Sequence, residues 1–141
     1  MFAMPEIEER NKALIARFGE AQSTGRMDLL DELVADDFVR HCQATPWLEV
    51  RSREDLKRFL TEDRAAVPDG RVVPRLLIAE GDYVAVWANY GGTQTGAWGP
   101  IPASNKRFDL EVGMVFRLAG GRIAELWVTW DNLSMMRQLG Q

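Results

Sequence analysis

Between Arg107 and Leu118, apolar side chains fall at every second position: Phe108, Leu110, Val112, Met114, Phe116 and Leu118. Asp109, Glu111 and Arg117 lie between them, and Gly113 and Val115 break the polar face. A period of two belongs to a strand with one face in a core, and no helix can use it. Gly120-Gly121 is a hairpin signal, and the apolar segment beyond it, with Trp127 and Trp130, reads as the partner strand. Upstream, Val72–Ala79 and Tyr83–Tyr90 flank Glu80-Gly81-Asp82 in the same strand–turn–strand manner.

Before Pro68-Asp69-Gly70 the period changes. Ile7, Asn11, Leu14, Ile15 and Phe18 have helical spacing within residues 5–22, and Ser23-Thr24-Gly25 breaks the pattern. A short second helix is expected over Asp28–Val34, with Asp36-Asp37 as a solvated pair at its end. Ser52 followed by Asp55 has the form of a capping box, opening a helix with Leu56, Phe59 and Leu60 inside. A short helix is expected again at Ser134–Leu139. Helices first and long antiparallel strands afterwards predict an α+β fold: a curved, mainly antiparallel sheet whose concave face the N-terminal helices cover. Such a cone has an apolar interior and an open mouth, so a ligand pocket is expected.

The 141 residues, 46% of them apolar, suit one domain spanning 1–141. A net charge of −4 argues against nucleic acid as a partner. The basic cluster Arg51, Arg53, Lys57 and Arg58 is interrupted by Glu54 and Asp55 and reads as a solvated helix face. No apolar run reaches the length of a membrane span, and a lone Cys42 suits a reducing cytoplasm. With a single histidine, His41, the common zinc spacings are missing, so no metal and no cofactor is expected. Nucleophile-elbow, phosphate-loop and dinucleotide motifs are also lacking.

Several segments, in order, are similar to the SnoaL-like branch of the nuclear-transport-factor-2-like superfamily, which includes polyketide cyclases. They are Ala35-Asp36-Asp37-Phe38-Val39-Arg40-His41, Val67-Pro68-Asp69, Glu80-Gly81-Asp82-Tyr83-Val84-Ala85, Gly91-Gly92-Thr93-Gln94-Thr95-Gly96, Gly99-Pro100-Ile101-Pro102, and the closing Gly121-Arg122-Ile123-Ala124-Glu125-Leu126-Trp127 through Asp131. The resemblance implies the cone-shaped α+β barrel and a pocket for an apolar metabolite. It also marks a departure. The family's cyclases keep an acid/base aspartate on the last strand and an assisting histidine on the strand before it. Those positions correspond to Val128 and Met114, both apolar here.

The candidate acid/base is therefore Asp131, a carboxylate at the end of a strand rich in aromatics, whose bland alternative is a cap of the C-terminal helix. His41 lies where superfamily members often place a pocket residue and is the candidate relay. Strand alternation with Val128 inside makes Trp130 and Tyr90 pocket walls together with Met114. Trp47 and Trp98 are expected as lids, and Gln94 as a polar contact to the ligand. The same alternation sends Trp87 and Trp127 to the outer face, where large aromatics need cover, so a homodimer through that face is expected. The expected function is a cofactor-free acid/base enzyme acting on an apolar cyclic or aromatic carbonyl compound by aldol-type cyclisation, isomerisation or lyase chemistry. The alternatives are a domain that binds such a metabolite without reaction and, ranked last, an epoxide or ester hydrolase using an Asp-activated water.

Overall fold

The structure, a computed structural model, describes residues 4–141; residues 1–3 of the expected domain lie outside the described part. Helix α1 (Met4–Thr24) is followed by a 3₁₀ turn (Met27–Leu29), a one-turn helix α2 (Leu30–Leu33) and strand β1 (Val34–His41). Helix α3 (Arg53–Ala66) precedes the strands β2 (Arg71–Glu80), β3 (Tyr83–Thr93), β4 (Arg107–Ala119) and β5 (Arg122–Trp130), and α4 (Asn132–Gln138) ends the chain. The five strands form one open sheet in the order β1-β5-β4-β3-β2. Only the β1–β5 pair is parallel. This is the cone-shaped α+β fold.

Local chemistry accounts for the boundaries. Gly25, at φ +74°, takes the left-handed conformation that stops α1. Ser52 caps α3 by accepting from the Asp55 N–H at 3.0 Å, and the Asp55 carboxylate accepts from the Arg51 N–H at 3.0 Å. Gly120 and Gly121 both have positive φ, +59° and +76°, as a two-residue turn between twisted strands requires.

One expected element is corrected. Val34 through His41 form a strand, so Asp36 and Asp37 stand on β1 and do not end a helix. A register irregularity between Val34 and Val39 blurs the alternation that would have marked the strand in the sequence. Asp36 is held by Arg53 at 2.7 Å.

The inner face carries Val84, Val86 and Ala88 of β3 and Phe108 through Leu118 of β4 at alternate positions, nearly all buried. Phe18 of α1 meets Phe116 edge-on at 5.9 Å, closing the helices onto the sheet. On the outer face Trp87, paired with Gly113, and Trp127, paired with Val115, remain exposed along with Leu76, Ile78 and Tyr83.

Candidate functional site

The helices do not fill the cone. A cavity of about 90 Å³ lies between the inner sheet face and the helices. Leu110, Val112, Met114, Leu126, Val128 and Trp130 form its sheet wall, which is apolar apart from the Trp130 indole N–H. That N–H points away to the Asn132 side chain at 3.3 Å. Phe18, Leu56, Phe59 and Leu60 form the helical wall.

The polar groups enter from other directions. Asp63 extends the inner stripe of α3 one turn beyond Leu56, Phe59 and Leu60, and its carboxylate accepts from the Tyr90 hydroxyl at 2.9 Å. Burial pushes the Asp63 carboxyl up from the ordinary aspartate range; the Tyr90 hydroxyl, the Trp98 indole and Arg40 oppose the rise. Tyr90 is pushed up as well, first by burial and then by the Asp63 charge, so its proton stays in place. Tyr90 is fixed by edge contacts with Trp98 at 6.2 Å and Phe108 at 5.4 Å. From β1, Arg40 brings a guanidinium into the cavity, and burial lowers its pKa. The pair Asp63–Tyr90 can hold and release a proton beside an apolar ligand, because a carboxyl raised toward neutrality can both give and take one.

Five of the residues expected from sequence meet at this cavity: Tyr90, Trp98, Met114, Val128 and Trp130. The others stand elsewhere. Asp131 is exposed and caps α4, accepting from the Ser134 N–H at 3.1 Å, so the bland alternative describes it. His41 pairs in register with Trp127 and so points to the outer face. There it stacks on the Trp127 ring at 5.3 Å and meets Glu125 at 2.6 Å. Strand alternation explains the outcome: Arg40 takes the inward direction, and its neighbour must take the other. Gln94 is fully buried but serves the loop. Its amide donates to the Pro102 carbonyl at 3.1 Å, and its oxygen accepts from the Ser104 N–H at 3.1 Å. Trp47 is half-exposed and packs on Gly99 in the turn beside Trp98, outside the cavity lining.

Asp63, Arg40, Gln22 and Thr45 also line the cavity, beyond the residues expected from sequence. The signal for Asp63 and Gln22 was present: each is a polar residue on the apolar stripe of its helix, Gln22 four positions after Phe18 and Asp63 four after Phe59. Among the described residues no group of three or more His, Cys, Asp or Glu is placed to hold a metal ion. No described helix is long and apolar enough to cross a membrane.

Comparison with known proteins agrees with this architecture. The family model for SnoaL-like polyketide cyclase matches residues 12–139. The fold is similar to that of IdmH, a candidate polyketide cyclase from Streptomyces antibioticus, at 28% identity and a TM-score of 0.79, covering 93% of this chain and 99% of that one. TsrD from Streptomyces laurentii matches at 26% identity and a TM-score of 0.83, over 94% and 96% of the two chains. A candidate SnoaL-like polyketide cyclase from Jannaschia sp. CCS1 matches at 25% and 0.86, over 99% and 96%. No curated protein matches.

Proposed function

The chain belongs to the SnoaL-like polyketide cyclase family, and from that premise we propose a cofactor-free acid/base enzyme that takes an apolar cyclic or aromatic carbonyl compound into the cone. Its reaction is proton transfer next to the carbonyl, as in aldol-type cyclisation, isomerisation or a lyase step. One observation carries the reading: Asp63, the only carboxyl lining the cavity among the described residues, is hydrogen-bonded to Tyr90 and raised by burial. Asp63 takes the α-proton and returns it, and Tyr90 donates to the developing oxyanion or holds Asp63 in place. With Val128 and Met114 apolar on the sheet wall, the acid/base stands on the helical side instead. The acid/base role expected of Asp131 moves to Asp63, because a cap at the surface cannot reach a ligand in the cone.

The test is exchange of the α-protons of 2-tetralone in D₂O, followed by NMR. Wild-type protein should accelerate exchange, and Asp63→Asn should lose about 100-fold or more of that acceleration. A folded Asp63→Asn protein that exchanges at the wild-type rate removes Asp63 from the chemistry.

The apolar stretch of wall formed by Leu110, Val112, Met114, Leu126 and Val128 favours a second reading, binding of such a metabolite without reaction. It predicts saturable binding of 2-tetralone with no exchange above the buffer rate. Hydrolysis ranks below both, since the cavity lining offers one aspartate and not the two of an Asp–Arg–Asp arrangement. We also propose that two copies pair through the outer sheet face, whose exposed Trp87, Trp127, Leu76 and Ile78 support an interface.

A further inference from the structure

The acid/base pair leaves one polar element of the cavity without a task. Arg40 lies with its Cζ 4.5 Å from the Phe59 ring centroid, and its Nη1 donates to Thr45 Oγ1 at 3.1 Å. A guanidinium has five N–H donors, and that bond and the ring face engage only part of it. Arg17, Arg26, Arg58 and Arg117, on the periphery, each meet a carboxylate, as does the half-buried Arg53. Arg40, inside the cavity, forms no ion pair among the described residues. Asp63 and Cys42 are the acidic groups near enough to act on it. One is a carboxyl already engaged by the Tyr90 hydroxyl, and the other is a thiol. A half-buried guanidinium lining an apolar cavity without a counter-charge is costly, and an anionic ligand group offsets that cost.

We propose that the cavity binds a ligand bearing a carboxylate, which the Arg40 guanidinium receives, while the ligand's apolar body lies on the wall of Met114, Val128 and Trp130. A monoanion fits better than a phosphate, because the cavity supplies a single cation among the described residues and already holds Asp63. The inference rests on the ligand-cavity part of the proposed function and adds the charge of the substrate. Arg40 is thus a specificity residue, and the substrate class is an apolar cyclic or aromatic acid.

Paired probes test this: 2-naphthoate and its neutral isostere 2-naphthamide, titrated at neutral pH and followed by tryptophan fluorescence and calorimetry. The wild type should bind naphthoate at least ~10-fold more tightly. Arg40→Gln should bring the two within about twofold by weakening naphthoate alone, and Arg40→Lys should keep an intermediate preference. Equal binding of the probes by the wild type overturns the proposal, and so does a preference that survives in Arg40→Gln. The wild-type comparison decides even if Arg40→Gln does not fold. Binding of neither probe overturns this inference together with the cavity reading. Failure of the Asp63 chemistry alone, with Asp63→Asn exchanging normally, leaves the naphthoate preference intact.

Discussion

The two faces of the sheet carry similar chemistry in opposite settings. Inside, Asp63 meets Tyr90 and feels Arg40; outside, Glu125 accepts from His41 at 2.6 Å and from Arg117 at 3.0 Å. Asp63 is raised because burial outweighs its partners, whereas Glu125 is lowered because the His41 and Arg117 hydrogen bonds outweigh its slight desolvation. What separates them is access to water, since a carboxylate in solvent keeps its hydration and profits from its partners, while one in an apolar cone has lost hydration that its partners do not fully replace. The outer cluster is therefore a surface feature, and the inner one lies within the cone.

The contrast is sharpest in stability against pH. Asp63 binds its proton more tightly in the folded than in the unfolded chain. Its contribution is fully present below the unfolded aspartate pKa and is lost as pH rises through the raised folded value. Glu125 has the opposite sign: its contribution is present above the unfolded glutamate pKa and is lost as pH falls through the lowered folded value.

Four outcomes would break or sharpen the comparison. The largest effect is expected where the inner face is pure packing. Phe116→Ala should cost about 3–5 kcal/mol in denaturant unfolding, because the vacated space faces Phe18 and cannot collapse fully. Trp127→Ala, on the exposed outer face, should cost far less in a dilute sample, and equal losses would make the outer face a core. Next, Asp63→Asn should make the protein more stable at neutral pH and remove the decline above the ordinary carboxylate range. An unchanged pH profile by thermal melting would show that burial does not raise Asp63. Third, Asp131→Ala should cost about 1 kcal/mol by removing the cap of α4 while leaving α-proton exchange unchanged. Loss of exchange with the fold intact would return Asp131 to the chemistry. Smallest, Glu125→Gln should fall within the roughly 0–1 kcal/mol of exposed pairs and flatten only the acid side of the melting profile.

Trp87→Glu addresses the outer face differently. Sedimentation should show the wild type as a dimer and this variant as a monomer, and a monomeric wild type would remove the proposed interface.

How far the site was legible depends on which regularity each residue obeys. Tyr90, Met114, Val128 and Trp130 follow strict alternation, so their common side could be read once Val128 was taken as inward. His41 and Arg40 obey the same rule, but β1 was not recognised as a strand, because its irregular pairing between Val34 and Val39 hides the period. The inward side expected for His41 is the one that Arg40 occupies. Asp63 is legible as a carboxylate on an apolar helical stripe, whereas Asp131 stands among aromatics in sequence but in solvent in space.

Local periodicity and turn chemistry alone determined the α+β class, the hairpin at Gly120-Gly121, the Ser52 cap and the placing of Trp87 and Trp127 on the face opposite Tyr90 and Val128, because each depends on residues close along the chain. The position of a side chain across the cone depends on strand pairing and on helix docking, where contacting residues are far apart in sequence. Asp63 and Tyr90 are separated by 27 positions, and His41 and Glu125 by 84. Tertiary packing alone decided which of the two carboxylates lost its water.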